Sequence, residues 1–353
     1  MTRQRTRGAA RAALTLAILL FLGVAAPRSA AANEFGARAF GIGGAYTAVA
    51  DDLAALVYNP SRLGDKAFEV GVGLGFSDLE SVVEFFSLLR EPATIGEAIH
   101  TNLVTLSGVS IGSVGLGLAA KGTIHIDGCS SGTLCGSGDA MAQFVLGMGR
   151  ELARPAGNLV GLKVGAALKR LHGERIAYER VDLDLGAGYQ TRVEAWTGQG
   201  YSLDLGAAFR VSERVSVGLA VQDVLSSLSW EGTLTEAQYT AAGDEVWRVS
   251  TPLEAQDESL TAVYRAGVAV RPPLTGTLLA VELASDGTLR YGIEQNLLAN
   301  ALSLRAGQAV GKDGSTTTLG LGLNLGPGRL DLAVGSSDGF KQYTTMVEGS
   351  VRF

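Results

Sequence analysis

The 353 residues include 48 glycines and carry a formal net charge of −6. Glycine at about twice its ordinary ~7% share weakens helices and suits strands, turns and closely packed walls. An acidic chain has no electrostatic footprint for nucleic acid, and this length accommodates two soluble domains or one large barrel.

Residues 1–32 read as a secretory signal peptide. Arg3, Arg5, Arg7 and Arg11 form a positive start, residues 12–26 are apolar, and Ala30, Ala31 and Ala32 supply a small-residue cleavage site before Asn33. Neither Cys129 nor Cys135 lies near that site, which argues against a lipid-anchored N-terminus. Without residues 1–32, which hold five arginines and no acid, the lysine and arginine count falls from 29 to 24 against 35 acids, a net charge of −11.

Residues 33–64 form a second unit, preceding the first strand. Gly41, Gly43 and Gly44 permit sharp turns and close approach to other backbone. Residues 48–57 are small and apolar enough for a short helix, which Asn59 and Pro60 would end. A phosphate-binding loop fits less well, because Tyr46 stands where the G-x-G-x-x-G pattern needs its last glycine and no strand feeds the stretch.

Residues 65–353 alternate apolar with small or polar positions, as in Phe68, Val70, Val72, Leu74 and Phe76 against Glu69, Gly71, Gly73 and Gly75. Strands are predicted at 66–76, 101–111, 114–126, 139–153, 159–173, 198–209, 214–224, 261–271, 276–284, 288–297, 301–310, 315–325, 328–336 and 341–353. That makes fourteen, with room for another pair in 174–197. Most match the ~9–11 residues a tilted strand needs to cross a bilayer. Residues 101–120 carry no charge, yet glycines and serines interrupt them, so they read as a hairpin and not as a membrane helix.

Connections after even-numbered strands are short, whereas 77–100, 127–138, 174–197 and 225–260 are long. Sorting by parity is expected of an outer-membrane barrel, with short periplasmic turns and long extracellular loops, and it puts both chain ends in the periplasm. Ser77 and Glu80 form a capping box ahead of Val82, Val83, Phe86 and Leu89, so a rim helix is expected there. Tyr343, Val347, Val351 and the final Phe353 share one face of the last strand. The fold class expected is therefore an all-β transmembrane antiparallel barrel of a Gram-negative envelope.

The stretch "GARAFGIGGAYTAVADDLAALVYNPSRLG", with its glycine pair, A-D-D run and N-P dipeptide, resembles the N-terminal hatch of FadL-type and PorV-type outer-membrane proteins. The terminal strand and "YSLDLGAAFRVSERVSVGLAV" extend the likeness. The resemblance implies a fourteen-stranded barrel whose lumen the N-terminal segment plugs. It implies passive uptake of a hydrophobic small molecule, or alternatively a non-transporting barrel that serves a secretion-machinery protein or surface attachment. Outer-membrane lipid and lipopolysaccharide would surround it.

Charges scattered on the small faces, among them Lys163, Lys169, Asp204, Arg265, Glu282, Arg290, Glu294, Arg305, Asp331, Glu348 and Arg352, are expected to line the lumen, because a lipid-facing Arg or Lys costs ~2–4 kcal/mol at the midplane. A turn at Ala299 and Asn300 would set Glu294 opposite Arg305, and Asp51 and Asp52 would find arginines such as Arg290 or Arg305. Cys129 and Cys135 bracket five residues in one loop of an exported chain, so a disulfide is expected. Gly108, Ser110 and Gly112 match a nucleophile elbow without the strand-to-helix turn it needs. His100, His125 and His172, with Asp127 and Glu174 near, read as solvated strand ends; rim catalysis is disfavoured, and no cofactor or metal motif is found.

Overall fold

A computed structural model describes residues 35–64, 67–77, 99–129, 133–153, 161–183, 188–273, 275–312, 314–337 and 342–353. The described residues open with two short helices, α1 (Ala37–Gly41) and α2 (Ala55–Tyr58), followed by a 3-10 turn, Pro60–Arg62. Among the described residues fifteen strands follow: β1 (Phe68–Ser77), β2 (Ile99–Ile111), β3 (Val114–Cys129), β4 (Thr133–Ala153), β5 (Gly161–Asp182), β6 (Tyr189–Arg210), β7 (Val215–Tyr239), β8 (Glu245–Glu258), β9 (Val263–Val270), β10 (Thr277–Ala284), β11 (Leu289–Leu297), β12 (Leu302–Gly311), β13 (Gly314–Leu325), β14 (Gly328–Ser337) and β15 (Gln342–Arg352).

Every pairing is antiparallel, and β1 pairs with both β2 and β15, which closes the sheet on itself. The ring has fourteen positions because β8 and β9 share one. Residues 215–222 of β7 pair with β9, and residues 228–239 pair with β8, both on the edge of β7 that β6 leaves free. In hydrocarbon a strand edge has no water to satisfy its N–H and C=O groups, so a sheet spans a bilayer only when it closes into a ring of this kind.

Each of the fourteen predicted strands has a counterpart here. Three of the four long connections do not. Residues 127–138, 174–197 and 225–260, expected as loops, are mostly strand: β5 and β6 pair up to Asp182 and Tyr189, and β7 runs for 25 residues. Strands β3 to β8 therefore form a tall half of the wall, while β9 to β15 are 8 to 12 residues long. The expected helix after Ser77 falls within 78–98, outside the described residues.

The short turns sit at the other end. Gly112 and Gly326 take positive φ of 53° and 69° in tight turns. Between β11 and β12 the turn is wider than expected, with Leu298, Ala299 and Asn300 all at positive φ and Leu297 facing Leu302. The register is nonetheless the same, and Glu294 faces Arg305.

Alternation decides the two faces. Val72, Leu118, Phe144, Leu146, Leu168 and Leu332 are exposed on the outside, forming an apolar band around the ring. The opposite face buries Glu69, Lys169, Asp204, Glu282, Arg305 and Asp331. On β5 the outward row changes from Leu168 to Arg170, His172 and Glu174, which marks the upper boundary of the band on that side. Phe353 continues the outer row, with its ring 6.1 Å from Phe68 across the closing seam.

Leu146→Arg, at the middle of the outward row of β4, is expected to lower folding stability in lipid vesicles by about 2–4 kcal/mol, read from urea titration of the heat-modifiable band. An unchanged midpoint would mean that this row does not meet lipid.

Candidate functional site: the segment inside the ring

From Phe35 to Leu63 every residue is buried except Asp51, which is partly exposed. Helices of five and four residues cannot enclose a core of their own. Their burial comes from the barrel wall: α1 lies against β12 to β15, α2 against β3 and β4, and the 3-10 turn against β4, β5 and β6.

The wall is hollowed to receive them. A Cβ on Gly206 would overlap Asn59 Oδ1, and one on Gly292 or Gly307 would overlap the Ile42 carbonyl or the Gly43 amide. The ring of Phe40 occupies the space above Gly335 in the same way, and Leu56 the space above Gly147. On the segment's own side Gly43, at φ 70°, brings its backbone against Gln308, where a side chain would meet main chain at 2.5 Å. The glycine-rich inner faces of these strands are thus the footprint of residues 40–61.

Local sequence shapes the segment. Gly43 and Gly44 both take positive φ and end α1, with the Gly44 amide donating to Ala39 O at 2.9 Å. The expected helix over 48–57 shrinks to α2, because the chain turns through residues 46–53 first. Asn59 takes an extended backbone after α2, and its Oδ1 accepts from the Ser61 amide at 3.2 Å to open the turn at Pro60. Its Nδ2 donates to Thr47 O at 2.9 Å and to Ala207 O on β6 at 3.2 Å.

Arg38 is the charged hub, a role that its place in a run of small residues does not announce. It reaches Glu294 through Nε at 2.8 Å and Nη2 at 3.0 Å, a bidentate contact, and it also pairs with Asp51 and, at 3.4 Å, with Asp52. The two aspartates therefore meet Arg38, and Asp52 also Arg352 at 3.7 Å, instead of Arg290 or Arg305. Arg38 lies in the same segment and reaches both first. Tyr46 donates its phenol to Asp52 and packs edge-on to Tyr58 at 5.3 Å. Burial pushes that phenol well above its ordinary value, so it stays a donor.

Wall carboxylates hold the segment's backbone. Glu282 Oε2 accepts from the Tyr46 and Thr47 amides at 3.0 and 2.8 Å, and Glu348 accepts from the Ala37 amide at 2.9 Å. Arg305 bridges Glu294 at 2.7 Å to Asp331 at 2.7 Å. Asp204 belongs to a separate group with Lys169, at 2.7 Å, and Asp223, which is 2.6 Å from the same ammonium. Asp223 sits at φ 57° in a bulge of β7, where its amide donates to Asp204 at 2.8 Å.

The other candidates stand apart. Ser110 is buried on β2 opposite Gly115 and Glu69. His172 and Glu174 approach to 3.6 Å, both exposed, and His125 is exposed on β3, where its backbone pairs with that of His100. Cys135 is held in a disulfide.

These features define a transmembrane β-barrel whose N-terminal segment is seated within the lumen. In sequence, no family model and no curated protein matches the chain. In structure, the toluene transporter TodX of Pseudomonas putida superposes with a TM-score of 0.57 at 12% identity, covering 91% of this chain and 97% of that one. A TodX monoaromatic hydrocarbon channel mutant gives 0.62 at 13%, covering 90% and 98%. A Pseudomonas aeruginosa FadL homologue gives 0.61 at 11%, again covering 90% and 98%. The chain has the fold of these FadL-type channels.

Replacing Arg38 by Met would leave Glu294, Asp51 and Asp52 without their shared cation, and breaking a buried pair costs about 3–5 kcal/mol. The expected outcome is faster cleavage of residues 35–64 by added protease in the folded, heat-modifiable barrel. Protection equal to that of the parent protein would show that Arg38 does not hold the segment.

Proposed function

We propose that this protein is a passive outer-membrane channel for hydrophobic small molecules, closed at rest by residues 36–63. The observation that carries the reading is the seating of that segment: it fills the ring against a glycine face and is held there by a few ion pairs and hydrogen bonds, in a fold shared with hydrocarbon channels. A ligand that loosens those contacts opens a path. Removal of residues 1–32 as a signal peptide delivers the chain to the envelope. The tall half of the wall, β3 to β8, then faces outward, the short turns and both chain ends face the periplasm, and the apolar band meets lipid and lipopolysaccharide. No observation favours the secretion-partner reading over this one.

Deleting residues 36–63 is expected to raise conductance in planar bilayers and to let arabinose swell proteoliposomes that the full chain keeps closed. The full chain is expected to admit toluene to the same vesicles faster than protein-free lipid does. A truncated barrel that inserts normally and conducts no more than the parent would sink the gating role. Toluene entry no faster than through lipid would sink the transport role.

We also assign the partner of Cys135 to Cys129, the only other cysteine in the sequence, across the tip of the β3–β4 hairpin. Mass spectrometry of the mature protein without reduction should show both thiol protons missing, and two free thiols would refute the assignment.

A further inference from the structure

The buried charges facing the lumen are mostly matched in sign. Lys169 has two carboxylates, with the Ser202 hydroxyl donating to one of them at 2.5 Å, and Arg305 has Glu294 and Asp331. The group around Glu282 differs. Its two guanidiniums, Arg265 at 3.2 Å and Arg290 at 3.9 Å, share one oxygen of one carboxylate. The other oxygen of Glu282 is taken by the amides of Tyr46 and Thr47. No acid comes from the next strand, since Ala309 stands opposite Arg290 on β12.

Arg290 is fully buried, at 0% exposure, and none of its three nitrogens has a hydrogen-bond partner among the described residues. The same is true of Arg265 Nε and of Thr47 Oγ1. A guanidinium cannot shed its proton to escape this position. A buried cation needs both a counter-charge and acceptors for its N–H groups. Water supplies acceptors but leaves the excess positive charge in place. A divalent anion would overshoot an excess of one, and a metal cation would add to it.

We propose that Arg290, Arg265 and Thr47 hold a small monovalent anion between the wall and the turn at residues 46–47. The anion completes the charge balance that Glu282 begins, and it ties the turn at residues 46–47 to β9, β10 and β11, whereas the Arg38 hub is anchored on Glu294 of β11. The site is independent of the transport reading, because it concerns how the resting segment is held and involves no transported ligand.

Bromide is a direct probe. Crystals of the full-length mature protein grown in sodium bromide should give an anomalous peak beside the Arg290 guanidinium, and Arg290→Met should abolish it. Should that variant fail to fold, Thr47→Val keeps the side-chain size, removes the hydroxyl and should lower the occupancy of the same peak. A parent map with only water density at Arg290 would overturn the site. So would a peak that persists in Arg290→Met, or one that is undiminished in Thr47→Val.

Discussion

The whole molecule follows from one constraint: within hydrocarbon, the backbone amide of a strand finds a partner only in another strand. That requirement joins the first strand to the last along a nine-residue register from Glu69 to Ser77. It also explains the odd behaviour of β7, which must keep a neighbour on both edges where it crosses the membrane. There it has β6 and β9, and only above does it exchange β9 for β8. At the exchange, Ser226 substitutes its hydroxyl for a missing ladder bond, accepting from the Leu260 amide at 2.8 Å. Asp223 and Asp204 do comparable work on the β6 side. Irregular backbone thus gathers where one pairing ends and the next begins.

Closing the ring creates a second problem, an interior too wide for opposing wall side chains to fill. The chain meets it with its own N-terminal segment, and the wall is cut down to glycine where that segment's backbone presses closest, as at Gly165, Gly218, Gly292 and Gly307. Charge then supplies orientation. Glu282, Glu294 and Glu348 come from three different strands and meet residues 46–47, 38 and 37 in turn, so the segment is fixed in rotation as well as in depth.

Much of this was legible in the sequence, and the limits have physical causes. Strands that cross the membrane announce themselves because their two faces meet opposite solvents, lipid outside and a packed polar interior within. Where β5 and β6 rise beyond the apolar band, polar and charged side chains stand on both faces. Tyr178, Arg180 and Asp182 on β5, or Arg192 and Glu194 on β6, then show no apolar alternation, and such stretches read as loops although their backbones stay paired. The inner glycines were visible as a small face, but nothing in a single strand says what lies on them. Arg38 was hidden for another reason: its main partner, Glu294, is 256 residues away.

The seam between β1 and β15 has a bearing on the order of assembly. These strands are the first and last of the sheet to leave the ribosome, so no ring exists until the final residues are available. Residues 35–64 precede β1 and are wrapped on all sides once the seam is made. An open, curved sheet with its glycine face bare is the geometry in which they meet no obstruction. In shape the N-terminal segment is to the wall what a mandrel is to a tube, its contour matched by the glycine-lined inner face.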